Sequence, residues 1–203
     1  MNKSSALRLR KVAEADFPTQ FGIFRIHGFE GIHDGLTEEA VVLQMGDLAD
    51  GAPPLVRIHS QCLTGDVFHS LRCDCRAQLE MALKSVADEG RGMVIYELQE
   101  GRGIGLLNKL RAYELQDQGA DTVEANEALG FDSDLRSYLL PGEILRYFGL
   151  KQVRLLSNNP EKVTAVENAG VEVVERVPCL VDVVESREAY LRTKKEKMGH
   201  LLE

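Results

Sequence analysis

Three cysteines fall in one short window, Cys62, Cys73 and Cys75, the first inside the run Arg57-Ile-His-Ser-Gln-Cys-Leu-Thr-Gly-Asp66. Thiolates are the donors that a soft tetrahedral ion prefers, so the cluster points to one bound metal ion, with zinc the first candidate. A structural zinc site closes with four protein ligands, whereas a catalytic one keeps three and leaves a position for water. Three ligands therefore point to chemistry. The bland alternative is three unrelated buried thiols, against which Arg72 and Arg76, beside the Cys-x-Cys pair, favour thiolates. His69, four residues before Cys73, is a weaker candidate for a fourth ligand, and Cys179, in an apolar stretch, is expected in the core.

Four further segments combine glycine, cations and carboxylates. Glu100-Gly101-Arg102-Gly-Ile-Gly105 stands between a strand and a helix, where glycines allow close backbone approach and a helix N-terminus attracts anions; a plain turn would look similar. Ser157-Asn-Asn-Pro-Glu-Lys162 offers a helix cap, a first-turn proline and a lysine that could reach an anion, or only a capped helix with a solvated lysine. In the run that leads to Cys62, strand alternation puts Arg57, His59 and Gln61 on one face. Asp134 and Arg136, two apart, point together only from an extended segment; otherwise they form a surface ion pair worth little.

These residues need elements to hold them. Alternating runs at Phe21–Ile26, Ala40–Gln44 and Pro54–Ile58 predict strands, antiparallel to one another. Helical spacing predicts a helix over Val67–Glu89, with Leu71, Leu79, Leu83 and Val86 near one face and Gly90 as its stop. Met93–Glu97 is a short buried strand, Leu106–Gly119 a second helix and Pro141–Phe148 a third. Val153–Leu156, Glu161–Ala169 and Val171–Val174 follow as a βαβ unit, which implies a parallel pair with a right-handed crossover. Ser186–Leu202 is a final charged helix. The expected fold is α/β: one domain over residues 1–203 with a mixed sheet, antiparallel strands in front and the βαβ part behind.

Composition narrows the class. With 203 residues, 44% hydrophobic and 28% charged, the chain suits one substantial soluble domain. A net charge of −8 argues against a nucleic-acid backbone binder, though not against a single nucleotide held by a few cations. The first residues lack an apolar core of signal-peptide length, and no run reaches the roughly 18 apolar residues of a membrane span. Four cysteines without a secretory signal suit free thiols in a reducing compartment, so a cytoplasmic location without membrane contact is expected.

Taken together, Arg57-Ile-His-Ser-Gln-Cys-Leu-Thr-Gly-Asp-Val with Leu-Arg-Cys73-Asp-Cys75, Glu100-Gly-Arg-Gly-Ile-Gly-Leu-Leu-Asn-Lys109, and Tyr113-Glu-Leu-Gln-Asp-Gln-Gly-Ala-Asp-Thr-Val-Glu-Ala-Asn126 resemble GTP cyclohydrolase II. Ser157-Asn-Asn-Pro and Lys197-Met-Gly-His-Leu201 extend the likeness over nearly the whole chain. The resemblance implies a zinc enzyme that opens the imidazole ring of GTP, loses C8 as formate, releases pyrophosphate and yields the diaminopyrimidinone that starts riboflavin synthesis. It implies Cys62, Cys73 and Cys75 as ligands to one zinc. Arg57, Ile58, His59, Ser60, Gln61, Gln78, Glu100, Gly101, Arg102, Thr122, Ser157 and Lys162 match GTP-contacting positions. Asp134 matches the proton acceptor, Arg136 the proposed nucleophile, and Tyr113 a tyrosine of the ring-opening steps. Magnesium with the triphosphate and a homodimer are implied as well.

Elementary chemistry supports most of this. Three thiolates make zinc a weaker Lewis acid than three histidines would, so donors such as His59, Arg72 or backbone N–H groups would have to offset their charge. Arg102 and Lys162 suit phosphates, and Glu100 or Gln78 can bond a guanine edge. Arg136 is less comfortable as a nucleophile, since its pKa above about 12 makes a neutral form costly; a phosphate clamp oriented by Asp134 avoids that step. Gln61 stands where the family commonly has Glu, and Arg76 where it usually has Gly. Those departures keep open a zinc-stabilised GTP-binding or regulatory protein without turnover, or an enzyme serving another GTP-derived metabolite.

Overall fold

The computed structural model describes residues 7–49, 51–132 and 134–181. The expected helix Ser186–Leu202 and the Lys197–Leu201 motif lie outside them. Seven strands form one mixed sheet: β1 (Arg8–Thr19), β2 (Gly22–His33), β3 (Leu36–Met45), β4 (Leu55–Ser60), β5 (Gly92–Glu97), β6 (Gln152–Leu156) and β7 (Glu172–Val177), in the spatial order β1-β2-β3-β5-β4-β6-β7. The pairs from β1 to β2, β2 to β3 and β3 to β5 are antiparallel, and those of β4 with β5 and β6, and of β6 with β7, are parallel. The antiparallel front and the parallel βαβ back are both present.

The details depart from expectation in four places. β4 runs parallel to its neighbours rather than antiparallel. It is buried along almost its whole length, as strands covered on both faces are, and its polar Arg57 and His59 imitated a half-exposed alternation. β1 was hidden by its composition, since this edge strand is mostly exposed and charged.

The helix predicted over Val67–Glu89 is instead a short α1 (Leu63–Asp66) and a separate α2 (Cys75–Glu89). Between them the chain turns at His69, whose φ is +57°, and carries Cys73 and Cys75 back toward Cys62. Leu71 is consequently 63% exposed instead of lying on a buried helix face. Gly90 ends α2 in the left-handed conformation as expected. After α3 (Leu106–Asp117) comes an unforeseen α4 (Thr122–Ala128), started by a capping box in which Asp121 accepts from the Val123 and Glu124 amides and Glu124 accepts from Asp121 N.

α5 (Leu139–Tyr147) and α6 (Pro160–Asn168) complete the helices of the described residues. One face of the sheet packs Phe29, Val42, Ile58, Ile95 and Leu155 against Leu140, Ile144 and Leu145 of α5 and Val166 of α6. The other packs Phe24, Leu55, Val94 and Leu156 against Ala82 and Val86 of α2, with Cys179 at 1% exposure in this core as predicted. Each fully buried aliphatic side chain contributes about 1.5–3 kcal/mol. These two layers hold the carboxyl ends of β4, β5 and β6 in place, and in open α/β sheets ligands bind beyond such ends.

Candidate active site

Cys62 lies two residues after the end of β4 and occupies the N-cap position of α1, and a buried carboxylate shapes the turn it begins. Asp66 Oδ2 accepts from the Cys62 amide (3.0 Å) and from the Tyr96 hydroxyl (2.8 Å), and Asp66 Oδ1 lies 3.2 Å from His59 Nε2. His59 stacks on Tyr96 with ring centroids 5.4 Å apart. Desolvation holds the His59 imidazole below its ordinary pKa despite the Asp66 bond, so it is neutral. His59 therefore pairs with Asp66 rather than with a thiolate.

The three cysteine sulfurs lie within 4.8 Å of one another, and Cys62 Sγ is 3.7 Å from Cys73 Sγ. Zinc–sulfur bonds of about 2.3 Å in a tetrahedron place sulfurs roughly 3.8 Å apart, so the spacing fits. Three thiols this close cannot all carry charge without a cation: hydrogen bonds from Cys73 and Cys75 hold Cys62 far below the usual thiol range, while bonding to Cys62 pushes Cys73 up to about 11 and Cys75 well up. A dication removes that conflict. Gly65 makes room for the cluster, since a Cβ there would stand 2.7 Å from Cys73 Sγ and 3.2 Å from Cys62 Sγ. His69 is exposed and outside the cluster.

Two residues tie the cluster to the glycine-rich turn. Lys109 Nζ donates to Cys62 Sγ (3.1 Å) and to Glu100 Oε1 (2.7 Å). Glu100 also accepts from the Leu63 amide (2.6 Å) and the Gly101 amide (3.0 Å). Gly101 and Arg102 both adopt left-handed backbone angles, φ +61° and +59°; for arginine this costs about 1 kcal/mol or more. The strained turn buries Arg102 Nη1 and Nη2 with no hydrogen-bond partner among the described residues. A buried guanidinium left that way is suited to an incoming anion.

A third group gathers around Ser60 Oγ. It donates to Glu97 Oε2 (3.2 Å) and receives Lys162 Nζ (3.3 Å) and Arg136 Nη1 (3.4 Å). Burial pushes the Glu97 carboxyl up to about 7 against the pull of Lys162 and Arg136, and burial holds Lys162 well below its usual range. Arg136 and Asp134 do point together. Arg136 Nε lies 2.8 and 3.1 Å from the two Asp134 oxygens, Nη2 donates to Oδ2, and the Arg136 amide donates to Oδ1 at 3.0 Å. Their side chains are only 12% and 14% exposed, so this is no surface ion pair. Burial raises the Asp134 pKa, but the Arg136 bonds outweigh it and leave the carboxylate ionised.

One cavity of about 500 Å³ joins these groups, lined by all three cysteines, Tyr113, Arg136, Arg57, His59, Ser60, Gln61, Gln78, Glu100, Gly101, Arg102, Ser157 and Lys162. That volume suits a small-molecule ligand. Asp134 stands behind Arg136. The Ile58 side chain packs in the core and only its carbonyl faces the group, accepting from Lys162 at 2.9 Å. Thr122 opens α4, next to Asp121 on the cavity wall. Gln78 is held between Arg57 Nη2 (2.6 Å) and Asp74 Oδ2 (2.5 Å). Asn159, not Ser157, caps α6 with Pro160 in the first turn. Tyr113 OH lies 3.2 Å from Thr64 Oγ1, and its ring sits under Arg72 at 4.8 Å.

The sequence of the GTP cyclohydrolase II family, taken as a profile, matches residues 10–178 of the chain. The chain belongs to the GTP cyclohydrolase II family. Three proteins named GTP cyclohydrolase-2 illustrate the likeness: from Shewanella amazonensis, 52% identical over 97% of this chain and 95% of that protein; from Hahella chejuensis, 54% over 94% and 91%; and from Shigella boydii, 53% over 97% and 99%. Among solved structures, a two-domain 3,4-dihydroxy-2-butanone 4-phosphate synthase from A. baumannii matches with 16% identity and a TM-score of 0.46, covering 84% of this chain and 40% of that one, which is too remote to carry an argument.

Arg76, which departs from the family pattern, is accommodated within regular helix. It lies in the first turn of α2, donating to the Asp66 carbonyl (2.8 Å) and to Glu80 (2.8 Å). Gln61 lines the cavity. Sequence reasoning missed Asp66, Glu97 and Lys109. Lys109 and Tyr113 are four apart on α3, and that shared helix face was the available signal.

Proposed function

We propose that the chain is a zinc-dependent GTP cyclohydrolase II that converts GTP to formate, pyrophosphate and 2,5-diamino-6-(5-phosphoribosylamino)pyrimidin-4-one, the first step of riboflavin biosynthesis. The observation that carries this reading is that the three-thiol cluster and the unpaired Arg102 guanidinium face one cavity. The stoichiometry requires three waters. One adds at C8 and breaks C8–N9, a second hydrolyses the resulting formamide to formate and an amine, and a third cleaves the bond between the α- and β-phosphates.

Zinc held by Cys62, Cys73 and Cys75 supplies Lewis acidity for the ring opening. The protein's own groups do the rest. Arg102 and Lys162 meet the phosphates, with magnesium as their companion, and an arriving anion offsets the burial that disfavours the Lys162 ammonium. Arg136 acts as a clamp on the phosphate chain. In the structure it donates to both carboxylate oxygens of Asp134, and a neutral guanidine would forfeit those charge-assisted bonds. Glu100 spends three acceptor positions on Leu63, Gly101 and Lys109, which leaves about one lone pair for the guanine edge. Tyr113, beside Thr64 and the thiols, serves the ring-opening steps. The chain acts as one catalytic domain, as a homodimer in the cytoplasm. No helix of the described residues is long and apolar enough to cross a membrane.

Incubation with GTP and Mg²⁺ under reducing conditions tests this, with products identified by mass spectrometry. Formate and pyrophosphate in equal amounts, with the diaminopyrimidinone phosphate, are the expected products. GTP bound but unchanged would favour a regulatory protein, and accumulation of a formamidopyrimidine would mean an enzyme that stops half-way.

A further inference from the structure

Lys109 donates a hydrogen bond to the thiol cluster, and the proposed reaction gives it no part. Its Nζ lies 3.1 Å from Cys62 Sγ and 2.7 Å from Glu100 Oε1, and its side chain is 13% exposed. Its stem passes the strained turn closely: a Cβ on Gly101 would meet Lys109 Cβ at 3.2 Å, so both the left-handed angle and this approach call for glycine at position 101. The Glu100 carboxylate, fixed by two backbone amides as well, accepts from the same ammonium.

Three thiolates around one divalent ion leave an excess negative charge, which weakens the ion as a Lewis acid. Hydrogen bonds to ligand sulfurs counter this by drawing electron density off the donor, and they are a recognised means of tuning a metal. Of the groups that the sequence offered for this purpose, His59 is engaged with Asp66, and Arg72 donates to Asp117 while lying over the Tyr113 ring. Lys109 alone of the three donates to a cluster sulfur.

Resting on the reading of Cys62, Cys73 and Cys75 as a zinc site, we infer that Lys109 is a positioning residue that tunes the metal through Cys62. Its ammonium donates to the Cys62 thiolate, lowers that ligand's donor strength and so raises the acidity available for ring opening. Glu100 holds the ammonium on the sulfur. The same bridge fastens the turn bearing Arg102 to the cluster.

Cobalt(II) replacing zinc provides a readout independent of turnover, because the energy of the thiolate-to-cobalt charge-transfer band follows the electron richness of the sulfurs. The wild type, Lys109→Met, Lys109→Gln and Lys109→Arg are each loaded with cobalt and their spectra compared, and formate release is measured on the zinc forms. Lys109→Met should move the band to lower energy, Lys109→Gln should move it less in the same direction because its amide is a neutral donor, and Lys109→Arg should return most of the shift. The kcat for formate should fall at least about tenfold in Lys109→Met, with KM for GTP changing less. Bands unchanged in both the Met and Gln variants, with one cobalt bound per chain, would overturn the inference and leave the zinc reading standing. Wild-type protein that takes up neither cobalt nor zinc would overturn both.

Discussion

Gly65 is the position at which the thiol cluster is most easily broken without touching a ligand. A Cβ there would lie 2.7 Å from Cys73 Sγ, 3.2 Å from Cys62 Sγ and 3.2 Å from Cys75 Cβ. Ordinary contact begins near 3.4 Å, so Gly65→Ala forces the Cys73 sulfur back by roughly 0.7 Å, whereas metal–ligand distances tolerate about 0.2 Å. Overpacking on this scale costs about 1–3 kcal/mol. If all of it falls on the metal-bound state, zinc binds roughly 5- to 150-fold more weakly. Gly65 is absent from the glycines with positive φ, so the substitution carries no backbone strain to confuse the result. Competition with a chromophoric chelator under reducing conditions measures the change. Gly28→Ala, where the nearest atom to an added Cβ is 4.0 Å away, serves as the comparison. Zinc bound to Gly65→Ala as tightly as to the wild type would refute the steric argument.

Two further substitutions address the group around Ser60. Glu97 has a folded pKa of about 7 against an ordinary 4.5; a raised carboxyl contributes stability that is complete below pH 4.5 and lost as pH rises through 7, here by at most roughly 3 kcal/mol. Urea unfolding at pH 5 and pH 8 should therefore show Glu97→Gln losing less stability than the wild type between those values, and parallel losses would count against a buried, proton-sensitive Glu97. Arg136→Lys keeps the charge and gives up the planar fork, so a clamp should retain pyrophosphate release at about a hundredth of the wild-type rate or better. Trapping of a guanylylated peptide that contains Arg136 would instead make the residue a covalent nucleophile.

The parts of the site that were legible in the sequence are those carried by unusual residue types close together. Cys62, Cys73 and Cys75 do gather into one cluster, the glycine-rich run at Glu100 does form a tight turn between β5 and α3, and Asp134 and Arg136 do point together. What periodicity could not reveal is where tertiary bonds override it. The apolar spacing of Leu71, Leu79, Leu83 and Val86 fits one helix, yet the turn at His69 brings two cysteines to a third, and Leu71 is left in solvent. β4 resembled a half-exposed strand because Arg57 and His59 are polar, although both are buried against partners from other elements. The contact from Lys109 to Cys62 spans 47 positions and that from Ser60 to Glu97 spans 37. No local pattern encodes contacts at that range: the face Lys109 shares with Tyr113 could have singled the lysine out, but its bond to Cys62 and the burial of Glu97 beside Ser60 emerged only from the fold.

The central claim is that the three thiols hold the metal on which ring opening depends. Zinc titrated into metal-free protein, with formate released from GTP measured at each addition, tests it most directly. Formate release should rise in proportion to zinc and level off at one zinc per chain, with Cys73→Ser binding none and releasing none. Formate released at the full rate by metal-free protein, or a wild type that takes up no zinc, would contradict it.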